Sequence, residues 1–134
     1  LCVGEVGADC VDDQLYRISY DGSIVDEPRF VVMGGETDAI VAHLNDAYAE
    51  GWDLAPALGH AAAGLGAAGD GAPRQLGAAQ LEVAILDRAA AGRTFRRLLD
   101  DEVSALLEQS AGERATGEAD DGDASATPDA PPTP

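Results

Sequence analysis

The stretch Leu15-Tyr16-Arg17-Ile18-Ser19-Tyr20-Asp21-Gly22-Ser23-Ile24-Val25-Asp26-Glu27-Pro28-Arg29-Phe30-Val31-Val32-Met33-Gly34-Gly35 decides how this chain is read, because two strand-like runs flank a turn signal and end on paired glycines. From Gln14 to Tyr20 the side chains alternate. Tyr16, Ile18 and Tyr20 fall on one face, and Leu15, Arg17 and Ser19 on the other, the period of a half-buried strand. Asp21-Gly22 then reverses the chain, since this pair tolerates the positive φ of tight hairpin turns. Pro28 has no backbone donor, so the return strand is interrupted or lies at an edge there, and Phe30 to Met33 is expected to resume as a buried run.

Beyond the glycine pair the period changes from two to that of a helix. Thr37 or Asp38 can cap it, and Ile40, Val41, Leu44, Ala47 and Tyr48 recur at helical spacing until Gly51 stops it. Asp53 can cap a second helix with Pro56 in its first turn, where the missing donor does least harm, and with Leu54, Leu58 and Leu65 marking a face. Its many Ala and Gly residues allow close packing. Two such helices joined by a short turn are expected to lie antiparallel across one face of the sheet. Ala67 to Arg74 reads as a small-residue loop, and Ala79 to Asp87 with Arg93 to Leu98 as a second hairpin turning at Ala89 to Gly92. Asp100 and Asp101 begin a terminal helix with Val103, Leu106 and Leu107 inward and Gly112 as its stop. There is no internal repeat.

This order of a leucine-tyrosine strand, an aspartate-glycine turn, a second strand ending in small residues and a long amphipathic helix resembles the proteasome α-subunit family, in its actinobacterial form. The helix Thr37-Asp38-Ala39-Ile40-Val41-Ala42-His43-Leu44 and the strand Leu81-Glu82-Val83-Ala84-Ile85-Leu86-Asp87 extend the resemblance to residues 1 to 109. It implies an α+β fold, part of the four-layer αββα sandwich of the Ntn-hydrolase type, with residues 1–110 as the carboxyl half of an α-subunit domain. It further implies a noncatalytic, cytoplasmic subunit. In the family, heptameric α-rings cap catalytic β-rings, restrict entry to the chamber and contact an AAA ATPase that feeds in unfolded, often tagged, proteins. The family's gate and its ATPase-docking lysine belong to the amino-terminal half, so the resemblance assigns no catalytic, cofactor-binding or metal-binding residue here.

Two alternatives of other classes stand beside it. A β-type threonine peptidase truncated before its active site would share the fold, but active β-subunits resemble one another in a Gly-Ser-Gly type turn, whereas this chain has Met33-Gly34-Gly35-Glu36-Thr37-Asp38. The other is a stand-alone acidic interaction module.

The chain has 134 residues, enough for one domain, and composition divides it unevenly. From Ala111 to Pro134 there is no Val, Ile, Leu, Met, Phe, Trp or Tyr, so burial cannot offset the ordering entropy and residues 111–134 read as a disordered acidic tail. The chain opens without Met on the apolar run Leu1-Cys2-Val3-Gly4-Glu5-Val6, which reads as the interior of a longer protein. A mature chain after leader removal is the other reading. Half a sandwich is expected to expose sheet edges and apolar surface. No run reaches the length of a membrane span.

Twenty-five acids oppose 8 bases, all of them Arg, for a net charge of −17. A chain this acidic repels a phosphate backbone, so nucleic acid is excluded as a partner. Cys2 is expected to be a buried thiol and Cys10 to lie in a turn among Asp9, Asp12 and Asp13. Two cysteines are too few for a disulfide scaffold or a zinc site.

Four patterns could carry chemistry. Gly64-Leu65-Gly66-Ala67-Ala68-Gly69 has the letters of a dinucleotide motif, but that motif must join a strand to a helix, and here a helix precedes it. His43 and His60 lack a third donor for a metal and are expected singly on their helices. The run Glu118 to Asp123 has the wrong spacing for calcium. Arg93, Arg96 and Arg97 around Phe95 either clamp carboxylates of a neighbouring subunit or pair with Asp87, Asp100, Asp101 or Glu102 of this chain. No cofactor is expected.

Overall fold

The structure, a computed structural model, describes residues 1–35, 37–69 and 71–117; of the tail expected over 111–134, residues 111–117 belong to the last helix, and the rest, with the acidic run Glu118 to Asp123, lies outside the described residues. The fold is α+β. Strands β1 (Cys2–Glu5), β2 (Gln14–Ile18) and β3 (Ile24–Asp26) form an antiparallel sheet in that order. Helices α1 (Thr37–Ala47) and α2 (Leu54–Ala67) follow, then a hairpin of β4 (Ala84–Leu86) and β5 (Phe95–Arg97), then helix α3 (Asp100–Gly117).

The first hairpin turns where the sequence predicts, with one refinement. Ser19 N–H donates to Ser23 O at 3.0 Å and Gly22 N–H to Ser19 O at 3.1 Å, and Gly22 alone takes positive φ, 84°. Three residues therefore sit in the loop, and only the glycine needs the left-handed conformation. The Asp21 carboxylate accepts the Ser23 amide at 3.0 Å and the Ser23 hydroxyl at 2.8 Å, and these bonds, the amide first, hold its pKa below the usual carboxylate range. Tyr20 belongs to this loop and is fully exposed rather than on the strand face. Strand β3 stops before Pro28, and Phe30 to Met33 is not a strand. Phe30, Val31 and Val32 are half-buried and Met33 is exposed, because among the described residues no strand lies beside them to complete a ladder.

Helix α2 is the centre of the fold. Its buried positions are Ala55, Leu58, Gly59, Ala62, Gly64 and Gly66, so small residues together with Leu58, and not the full leucine series, mark its packed face. Leu54 and Leu65 are exposed. Gly64 meets α1, where an added Cβ would lie 3.2 Å from Ile40 Cγ2 and 3.3 Å from His43 Cδ2. Gly59 meets α3, where a Cβ would lie 1.9 Å from Ser110 Oγ and 2.7 Å from Ser110 Cβ. Five positions apart, these two glycines point about 140° apart around the helix, so α2 presents a bare backbone to each neighbour.

The core lies beside this crossing. Leu58, Ala78, Leu98 and Val103 are buried together, with Leu81, Val83, Ile85, Leu106 and Leu107 packed against them. Along Leu81 to Leu86 burial alternates as the sequence predicts, although the regular ladder is confined to β4 and the residues Ala78–Gln80 form a short 3₁₀ turn. Val83 O still accepts the Leu98 amide at 2.9 Å. Helix α3 does not stop at Gly112 but continues to Gly117, since glycine inside a helix costs only about 1 kcal/mol relative to alanine.

The first sheet contributes no residue to the buried core. Strand β1 is exposed along its length, so Cys2 is an exposed thiol rather than a buried one, as is Cys10. Leu1, Val3, Ile24 and Val25 are likewise exposed, which is the apolar surface expected of this part of the sequence.

The Gly59 crossing yields a prediction. Gly59→Ala forces α2 and α3 apart and should cost about 1–3 kcal/mol of unfolding free energy, the range for overpacking. Ser110→Gly in the same chain should restore most of the loss. Urea unfolding of the three chains checks this, and additive losses would count against a direct clash.

Candidate functional site

The densest side-chain constellation joins the segment after β3 to α1, the link after it and α2. Arg29 lies over the Phe30 and Tyr48 rings at 5.7 and 5.8 Å and donates to Asn45 Oδ1 at 3.1 Å. Phe30 and Tyr48 are 6.2 Å apart, Tyr48 meets Trp52 edge-on at 5.4 Å, and Trp52 stacks on His60 at 4.5 Å with the rings 3° from parallel. His60 in turn faces His43 at 5.9 Å. The chain thus runs from a guanidinium through four aromatic contacts to two imidazoles.

The two histidines do not sit singly on their helices, as expected from sequence, but form a pair. Spacing along α2 accounts for only half of this, and the approach of α1 supplies the rest. His60 and Gly64 are four residues apart on one face of α2, and Gly64 is where α1 approaches closely enough to touch His43. The pair does not make a metal centre, because among the described residues no group of three or more His, Cys, Asp or Glu converges. Burial holds the His60 pKa below that of free histidine, and the charges of Arg114 and His43 push the same way.

The remaining candidates resolve as structure. Gly64 to Gly69 forms the end of α2 and the turn after it, with Gly69 at φ 108° and the Arg74 amide returning to Gly66 O at 2.9 Å. A Cβ on Gly66 would lie 2.0 Å from Arg74 O, so that glycine serves the loop's return, and no strand leads into the motif. Arg96 pairs with Glu102 at 2.6 Å, one of the partners named from sequence, and Arg97 pairs with Glu82 at 3.0 Å, which was not foreseen. Glu102 also accepts the Leu99 amide at 2.8 Å. That bond first and Arg96 second hold its carboxyl below the usual range.

One contact had no signal in the sequence. Arg88, in the turn after β4, grips the Asp13 carboxylate with one nitrogen at 2.8 and 2.6 Å and donates from the other to Gly7 O. Asp13 also accepts the Gly7 amide at 2.9 Å. The tie joins the two hairpins across 75 positions of sequence. Two recesses accompany these elements. One of about 360 Å³ lies between Arg17, Glu27, Phe30, Val32 and Val41, and one of about 660 Å³ between Gly59, Arg74, Leu107 and Arg114. Both are open.

No family model matches the chain. Its relatives are explicit nonetheless. It is 53% identical over 107 residues to the protein named proteasome subunit alpha of Saccharopolyspora erythraea, covering 80% of this chain and 41% of that one. It is 51% identical over 112 residues to the protein of that name from Mycobacterium sp. (strain KMS), covering 81% and 45%. A third, from Mycolicibacterium vanbaalenii, is 47% identical over 125 residues, covering 91% and 49%. Over its matched residues the chain belongs to the proteasome α-subunit family. It spans less than half the length of these curated relatives. Among the described residues no helix is long and apolar enough to cross a membrane.

The tie between hairpins gives a second prediction. Arg88 holds the Asp13 carboxyl below its ordinary pKa, ahead of the Gly7 amide. The carboxylate thus favours the folded state above the pKa it has when unfolded, and that contribution fades as pH falls through the lower folded value. Arg88→Met and Asp13→Asn should each lower stability slightly at neutral pH, and the double variant should lose no more than either single one. The difference between parent and Asp13→Asn should vanish in acid, as measured by thermal unfolding across pH.

Proposed function

We propose that this chain is part of a noncatalytic α-ring subunit of a bacterial 20S proteasome core. The observation that carries the reading is identity of about half the residues, over four fifths of this chain, to proteins named proteasome subunit alpha. In this reading the chain's two hairpins and three helices are one portion of a four-layer αββα sandwich. The uncovered first sheet and the exposed Leu1, Val3 and Val25 are consistent with a surface that a larger subunit covers.

The proposed role is assembly and gating. Seven subunits form a ring on the catalytic β-ring, receive unfolded or tagged proteins from an AAA ATPase in the cytoplasm, and leave hydrolysis to the β-subunit threonines. The turn after β3, Met33-Gly34-Gly35, supports α over β, because it lacks the Gly-Ser-Gly type sequence of active β-subunits. The tail from residue 118 onward is proposed as a solvated acidic arm, on composition alone.

The test is to co-express the complete reading frame that carries this sequence with the neighbouring β-subunit, recording native mass spectra and hydrolysis of a fluorogenic peptide. A cylinder-sized assembly whose activity disappears when the β threonine is replaced is the expected outcome. A soluble monomer or small oligomer that never joins β would overturn the reading.

A further inference from the structure

We propose that the His43–His60 pair, with Trp52 stacked on His60 and Arg114 of α3 beside the neighbouring Gly59, is an acid-labile joint that releases α1 and α3 from α2 when the imidazoles take up protons. The groups come from every part packed on this face. His60 is on α2, His43 on α1, Trp52 in the link between them, and Arg114 on α3.

Hydrogen bonding carries the argument. His43 Nε2 and His60 Nδ1 are both buried without a hydrogen-bond partner. A neutral imidazole can leave one ring nitrogen as a bare lone pair, but an imidazolium is a donor at both nitrogens. Each added proton would then be a buried donor with nothing to receive it, and a buried charged donor left unpaired is among the most costly arrangements in a fold.

The surrounding charges leave no escape within the joint. Arg114 is cationic at every relevant pH, and its Nε–H donates to Ser110 O at 3.3 Å, which keeps it on the side of α3 that crosses Gly59. With the ring centroids 5.9 Å apart, a charge on one histidine opposes a charge on the other. Among the described residues no ion pair involves either histidine. Stacking on Trp52 works the other way, since the indole face attracts a cation, but that attraction is modest and supplies no acceptor for Nδ1. The close approach at Gly64 prevents His43 from swinging toward α2 to gain room. Protonation is therefore relieved by separation of the helices rather than by adjustment within them.

The sign follows from burial. His60 binds its proton less readily folded than unfolded. Stability is therefore full above the ordinary histidine pKa of about 6.5 and falls as pH drops below it, until the lower folded pKa is passed.

The chain makes the test direct, because it has two histidines and one tryptophan. Two-dimensional NMR of the purified 134-residue chain follows both imidazoles from pH 8 to 4.5, and Trp52 fluorescence follows the stack. The expected result is that His60 titrates below the free value and that Trp52 emission changes together with loss of the α1–α2 contacts. Urea midpoints of the parent should fall between pH 7 and 5 more steeply than those of His60→Phe, which keeps the stack without a titrating group. Arg114→Gln should move the His60 titration upward, a shift that a merely structural role for Arg114 would not produce. Titration of His60 at the free value with helix contacts intact would overturn the proposal, as would parallel pH dependence in the parent and His60→Phe. The wild-type titration decides the question even if a variant fails to fold. The joint stands on its own geometry, so its failure would leave the proteasome reading untouched.

Discussion

At its two closest approaches, Gly59 to α3 and Gly64 to α1, helix α2 has no side chain, and the rest of the fold depends on that absence. At Gly59 the backbone of α2 lies so close to Ser110 of α3 that even a methyl group would overlap the serine hydroxyl, and at Gly64 it touches Ile40 and His43 of α1. Dispersion rewards such close backbone contact, because many atom pairs reach their optimum distance at once. The loss is conformational, since glycine leaves the unfolded chain freer than any other residue does. What compensates is the cluster beside the crossing, where Leu58 and Val103 meet Leu98 and the inward side of β4.

That closeness shapes the chemistry of the crossing as well as its packing. By bringing α1 and α3 in together, the small residues of α2 confine His60 among Trp52, His43 and Arg114, with polar nitrogens that lack partners. Ser110 Oγ is buried without a partner in the same region. The most tightly packed part of the molecule is thus also where its polar groups are least well satisfied, a combination that rigid packing alone would not select.

The first sheet obeys a different economy. It is held by its ladder, by the Arg17–Glu27 pair at 2.9 Å and by the grip of Arg88 on Asp13, not by a core of its own. Exposed ion pairs contribute little individually, so the sheet's place relative to the second hairpin rests on directional hydrogen bonds rather than on burial. A sheet with one apolar face uncovered is usually a sheet awaiting another layer, which agrees with relatives more than twice as long as the matched part.

Much of this was legible in order along the chain. The Asp21-Gly22 reversal, the helical period after Gly35, the second hairpin around Gly92 and the inward Val103, Leu106 and Leu107 all follow from local periodicity and turn chemistry, which neighbouring residues impose on one another. The same local information revealed the family. It misjudged Leu54 and Leu65, because leucine spacing marks the packed face only where hydrophobic bulk does the packing, and here absence of bulk does. It extended α3 too briefly, because one glycine is a weak stop when the helix beyond it retains its hydrogen bonds. Left to tertiary structure were the pairing of His43 with His60, the contact of Arg88 with Asp13 and the exposure of Cys2. Each depends on which surfaces meet across long separations, and the free energy of such meetings belongs to the whole packed arrangement and is not encoded in any single stretch of residues.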